Sequence, residues 1–503
     1  MSVIRLSYLP VAHPELPAGM YTTKDDHATI GDAPLADLKD FLDREVNDKA
    51  AFKDDAQPVV VMVHGFWYDP AARVRKEQRS GNPHDLNFHF SEAPQRHWRH
   101  TASWPLGLGF KRDDAGENGL AVAFGWDSTP DALRFGGKAA RVAWLKAMAA
   151  TFTPPEGVAM ADHLAALGKE FTAAAESLAQ LGDSPAVRAR GKAINAVADD
   201  AANARMPGAL TLVALAGSLT AVVQTTSEAV IPVIDVVAKY TPDIYKQSYD
   251  RAPAAAKELA RTLVALADHP KLKGRPIDVF CHSLGSRVVL AALKHLADDA
   301  QVKPLDRIDR VLIVGGAEYS DEALKALTAV QNVPGITPPF FYNFIGRRDR
   351  VLTHLAARNS DLVKPPKSRY PIGCFGLIER KNGMPPAVRR RDPHWLDLQL
   401  DALPLGPHPL NKWLDAKRAE DKRAWGEELA IEAGRDSPVR AELRSTHPLG
   451  VLNHWYYFTR QANMKFFAAI VRETDRGGGK WSIRKMRADG VPDHEPDFGA
   501  LGE

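Results

Sequence analysis

Cysteine is nearly absent: Cys281 and Cys374 are the two in a chain of 503 residues, so no disulfide framework holds this fold. An excess of one charge is absent too. With 65 Lys and Arg against 62 Asp and Glu, the net charge is +3, and nothing in that balance points to nucleic acid as a partner. The opening MSVIRLSYLP lacks the charged start and apolar core of a secretory leader, and a soluble, cytoplasmic protein is expected. Long apolar runs are missing as well. The longest, Ala209 to Val223, has 15 residues, whereas a membrane span takes about 20. Polar residues flank it, with Glu228 and Asp235 beyond. A buried or cap helix is the first reading of this run, and a membrane-touching or substrate-gating hairpin is the second. There is no internal repeat.

What is present is enough apolar material for a sizeable core, 45% of residues. Length alone would divide such a chain into about three domains of roughly 150 residues. The apolar runs argue for fewer. Pro58 to Val63 leads into His64-Gly65, Gly119 to Phe124 into Gly125-Trp126-Asp127, and Ile277 to Cys281 into His282-Ser283. Arg310 to Val314 leads into Gly315-Gly316, and Phe340 to Ile345 into Gly346. Short runs rich in Val, Ile and Phe, each closed by turn residues and separated by helical stretches, predict parallel strands buried on both faces. The expected class is therefore α/β: one mostly parallel sheet flanked by helices. The Ala-rich stretch between Phe124 and Ile277 is too long for a single crossover. Residues 139–240 are expected to form a helical cap inserted between core segments 1–138 and 241–475, with a return helix over Thr241 to Asp268. The charged chain from Pro409 to Arg435 reads as a surface helix. From Arg476 onward, with three consecutive glycines, a poorly ordered tail is expected over 476–503.

The segment Cys281-His282-Ser283-Leu284-Gly285 joins one of these strands to an apolar helix with Val289, Leu293 and Leu296 on one face. It resembles the G-x-S-x-G nucleophile elbow of the α/β-hydrolases, a turn that lifts a serine hydroxyl above the sheet. Cys281 stands where the first glycine of that pattern would be. Cysteine is small enough for the site, and as a strand-end residue in apolar surroundings it is expected to be an inert thiol. The bland alternative is a strand-to-helix turn with a capping serine.

The resemblance implies a serine hydrolase with Ser283 as nucleophile. It implies an oxyanion hole made by two backbone N–H groups. One belongs to Leu284, and the other to Phe66 in the His64-Gly65-Phe66 segment after the first of the strands above. It also implies an acid and a histidine later in the chain, in that order. Asp349, in the loop after Phe340 to Ile345, matches the acid position, with Glu318 as runner-up. Seventeen histidines dilute the search for the base. His354 is too near the acid, and His394 precedes Trp395 to Leu400, whose alternation suits a late strand. His454 opens a helix that ends near Val471 and is favoured over His447.

The loop from Trp67 to Phe110 carries His84, His89, His97, His100, Trp98 and Trp104. It reads as an aromatic wall of a substrate pocket. A zinc site built on His97 and His100 is the weaker reading, since no tight Cys or Glu cluster accompanies them, and no cofactor or metal is expected. Arg389 to Arg391 read as a solvated basic turn in a loop. Three functions remain open: a carboxylic ester hydrolase acting on a small-molecule ester, a lipase or phospholipase meeting lipid through Ala209–Val223, and a non-catalytic, hydrolase-like binding protein.

Overall fold

The computed structural model describes residues 3–12, 16–23, 30–50, 52, 57–66, 68–70, 83–90, 103–111, 117–129, 242–346, 349, 351–357, 370–380, 387–400, 410, 413, 454, 456–459, 461–475 and 478–492. The expected cap, with Ala209–Val223, and the charged stretch 414–435 lie outside these residues, as do His97, Trp98, His100 and His447.

Each of the five apolar runs is a strand. They are β3 (Val59–Val63), β4 (Leu120–Trp126), β5 (Ile277–His282), β6 (Ile308–Val314) and β7 (Phe340–Ile345). The alternating WLDLQ is β10 (Trp395–Gln399). Two further strands precede them, β1 (Val3–Leu9) and β2 (Gly19–Thr22). All eight form one sheet in the order β10-β7-β6-β5-β3-β4-β1-β2. Neighbours are parallel throughout, except for the antiparallel β1–β2 pair at one edge.

Alternation along these strands divides the core in two, because successive side chains point to opposite faces. Val59, Val61, Val63, Val279, Cys281, Val311 and Ile313 face one side. There they meet α1 (Leu38–Lys49), α2 (Pro242–Asp268), α3 (Gly285–Asp298) and α4 (Ser320–Gln331). Val60, Met62, Phe280, Leu312, Val314 and Phe344 face the other side. They meet Trp104, Phe458 and two late helices, α5 (Gln461–Val471) and α6 (Ile483–Ala488). The first face is aliphatic and alanine-rich, which lets α2 and α3 pack closely. The second is filled by large aromatics, with Phe280 at 5.0 Å from Trp104 and 5.6 Å from Phe467 between ring centroids.

The helix expected over Thr241 to Asp268 is α2. The stretch expected to be a loose tail differs from that reading over residues 478–492. There Ser482 caps α6 by accepting from the Lys485 N–H, and Trp481, Ile483 and Met486 are buried against the aromatic face. Apolar anchors after the three glycines tie that segment down. The basic run also differs from expectation, because Arg389 ends β9 (Ala387–Arg389), which pairs antiparallel with β8 (Ile378–Arg380). Arg390 reaches Glu379 at 3.2 Å, with both side chains substantially exposed. Trp104 is fully buried in the aromatic half of the core, packed edge-on against Phe280. His84 is buried as well and pairs with the Ser7 hydroxyl at 3.0 Å.

Among the described residues no helix is long and apolar enough to cross a membrane.

Candidate active site at the strand ends

Parallel strands deliver their following loops to one edge of the sheet, where ligand sites of such folds sit. Here the loops after β3, β5 and β7 bring Gly65, Ser283 and Asp349 to that edge. Ser283 follows β5 directly and has φ +54°, one of two non-glycine residues in that region among those described. An L-residue held there costs roughly 1–2 kcal/mol. The surroundings impose the conformation. The Ser283 N–H donates to the Val314 carbonyl at 3.2 Å, and its own carbonyl accepts from the Ala317 and Ser286 N–H groups, each at 3.0 Å, and from the Ser286 hydroxyl at 2.7 Å. Gly285 permits the turn, since a Cβ there would lie 2.5 Å from the His64 carbonyl oxygen. Cys281, at the position of the pattern's first glycine, is fully buried, and burial pushes its thiol pKa well up. That environment keeps it a thiol and excludes it as a nucleophile.

Asp349 and His454 stand 105 residues apart in sequence, and the fold brings them together. The His454 Nδ1–H donates to Asp349 Oδ2 at 2.7 Å, with both side chains buried. That bond fixes the neutral tautomer whose basic nitrogen is Nε2. Asp349 is itself held, because the Tyr457 hydroxyl donates to Oδ2 at 3.1 Å and the Leu352 N–H to Oδ1 at 3.2 Å. The His454 carbonyl accepts from Nε2 of His282, the residue before Ser283, at 3.0 Å, and the two rings lie 4.6 Å apart. Burial, joined by the charge His454 would carry, keeps the His282 pKa far below its ordinary value. His282 is therefore a neutral Nε2–H donor that ties the histidine loop to the elbow. Sequence reasoning missed both His282 and Tyr457. His454 lies in a bend before the short helix Tyr456–Thr459 and does not itself open a helix as expected, so no helical spacing linked Tyr457 to it in the sequence.

Glu318, the other acid considered, has different partners. Its Oε2 accepts from Arg287 at 2.9 Å, and its Oε1 accepts from the Tyr249 hydroxyl and the Tyr319 N–H, each at 2.8 Å. The Arg287 guanidinium also lies over the Tyr249 ring, 3.5 Å from its centroid. Burial pushes Glu318 upward, while Arg287 and the two donors pull it back. Burial lowers Arg287, and Glu318 together with Tyr249 and Tyr245 more than offsets that. We read this as a charged pair, since three donors converge on one carboxylate. His394 packs on Phe340, at a centroid distance of 5.0 Å, at the opposite end of β7 from Asp349.

The segment expected to supply the second oxyanion donor lies against Ser283. A Cβ on Gly65 would come within 2.4 Å of Ser283 Cβ and 3.1 Å of its Oγ, so only glycine allows this approach. Phe66 follows directly, and Leu284 forms the first turn into α3.

Residues 221–361 match a family model described as an alpha/beta hydrolase of unknown function (DUF900). That span contains Ser283, Glu318 and Asp349 and ends before His454. No curated protein matches the chain, and no solved structure does. A mostly parallel sheet flanked by helices, a serine at left-handed φ between β5 and α3, and a family match spanning that elbow agree: the chain belongs to the α/β-hydrolase superfamily.

Proposed function

We propose that the protein is a serine hydrolase that cleaves carboxylic esters through an acyl-enzyme, with Ser283, His454 and Asp349 as its triad. The observation that carries this reading is the buried 2.7 Å bond from His454 Nδ1 to Asp349, tied through His282 to the residue that precedes Ser283. A carboxylate on Nδ1 leaves Nε2 to take a proton and stabilises the imidazolium that results.

In the first half-reaction Ser283 Oγ attacks the ester carbonyl and its proton passes to His454 Nε2. The carbonyl oxygen becomes an anion facing the Phe66 and Leu284 N–H groups, with the positive end of the α3 dipole behind Leu284. Collapse expels the alcohol, which takes the proton from His454. Water then attacks the acyl-serine with His454 again as base, and the carboxylic acid leaves. Asp349 stays ionised and orients the ring throughout.

The test is labelling with a fluorophosphonate probe, followed by peptide mapping. Labelling at Ser283, with turnover of p-nitrophenyl esters, is the expected result. A folded protein that neither labels at Ser283 nor turns over such esters would overturn the proposal and favour a binding protein.

A further inference from the structure

The Gly65 carbonyl is gripped by two side chains, and the grip has a chemical consequence. His64 Nδ1–H donates to it at 2.9 Å and the Ser128 hydroxyl at 2.8 Å. The His64 tautomer is fixed by its other partner. His64 Nε2 accepts from the Trp126 N–H at 2.8 Å, which requires the Nδ1–H tautomer, and the Trp126 indole N–H donates back to the His64 carbonyl at 2.9 Å. Ser128 Oγ accepts from the Tyr68 N–H at 3.0 Å, and its single proton faces two carbonyls, Gly65 at 2.8 Å and Tyr68 at 3.3 Å, of which Gly65 is the nearer. Both side chains are fully buried. Burial lowers the His64 pKa to about 3, so its tautomer persists across the neutral range.

A peptide unit is planar and trans, so its C=O and the N–H that follows point in opposite directions. Holding the Gly65 carbonyl therefore sets the direction of the Phe66 N–H. Gly65 lies against Ser283, and its carbonyl is turned toward Ser128 and His64. From this geometry we infer that His64 and Ser128 are positioning residues that aim the Phe66 amide at the oxyanion. The inference rests on the proposed hydrolase chemistry and deepens it. The clamp also has a support behind it. The Ser248 hydroxyl on α2 donates to the Ser128 carbonyl at 2.6 Å, and Arg251 donates to Thr129. The first helix after the expected cap thus braces the residues that hold the hole.

The experiment uses the full chain with Ser128→Ala and Ser128→Cys, the latter keeping the volume with a weaker donor. Two quantities are measured: kcat and KM for p-nitrophenyl acetate, and the titration of the hemiketal formed with a trifluoromethyl ketone carrying a ¹³C carbonyl. The midpoint of that titration reports oxyanion stabilisation directly. Removing a whole oxyanion donor costs about 10²–10³-fold in kcat. A misaimed donor is expected to cost about 10-fold or more for Ser128→Ala, with KM little changed. The hemiketal midpoint should rise by roughly one pH unit, the same ten-fold factor, and Ser128→Cys should fall between. A folded Ser128→Ala protein with kcat and midpoint within two-fold of the parent would overturn the inference, as would equal loss in the cysteine and alanine variants. Failure of the parent itself to form a hemiketal at Ser283 would instead overturn the hydrolase reading.

Discussion

Glu318 and Asp349 stand in the loops after neighbouring strands, β6 and β7, and both are buried. Their partners differ in one respect. Glu318 faces Arg287, a cation that never gives up its proton, together with two neutral donors. Asp349 faces His454, whose charge is conditional. A carboxylate locked to a permanent cation holds elements together, here α2, α3 and the end of β6. A carboxylate opposite a histidine gains importance only when that histidine accepts a proton. Burial alone therefore does not distinguish the two carboxylates, whereas the identity of the counter-charge does.

The sharpest tests of this contrast are single substitutions. Ser283→Ala sets the floor. It should reduce ester hydrolysis by roughly 10³–10⁶-fold and abolish probe labelling, with the fold intact by circular dichroism. Full activity in that variant would remove the chemistry from this site altogether. Asp349→Asn should lower kcat by roughly 10⁴-fold, because the amide no longer enforces the required tautomer, while thermal stability changes little. Glu318→Gln should behave in the opposite way. Breaking a buried ion pair from one side costs about 3–5 kcal/mol, which a urea melt would show, while kcat of the folded variant stays within about ten-fold. If the kinetic ranking of the two variants is reversed, the roles assigned to β6 and β7 are exchanged.

A weaker effect separates His454 from the histidines that face no carboxylate. The ring nitrogens of His64 contact only a carbonyl and a backbone N–H, and burial lowers its pKa from 6.5 to about 3. His282 is shifted the same way, chiefly by burial. The unfolded chain therefore takes up these protons first. Stability is full above about pH 6.5 and declines as pH falls, by about 2 kcal/mol at pH 5 for His64, with His282 acting in the same direction. Urea midpoints measured at pH 7 and pH 5 test this, and equal midpoints would mean that His64 and His282 are not held neutral in the fold.

Much of this was legible in the sequence, and the limits have physical causes. Strands β3 to β7 announce themselves because strands buried on both faces must be continuously apolar. β1 carries Arg5 and Ser7 among its apolar residues, and β2 has only four residues, so neither makes such a run. Ser283 is readable because its turn is local. Asp349 and His454 were ranked through chain order, since a contact between residues 105 apart leaves no periodic trace. Ser128 carried no local signal at all. Its role depends on β4 ending beside β3, which is a property of strand order and not of any neighbouring residue.

The left-handed backbone at Ser283 has one more consequence. Glycine adopts that conformation without steric cost, so Ser283→Gly should be more stable than Ser283→Ala by about 1 kcal/mol, read as a difference in urea midpoint. The chain would then become sturdier as it moves further from chemistry. On the proposed chemistry, a robust fold and a reactive hydroxyl make opposite demands of this residue.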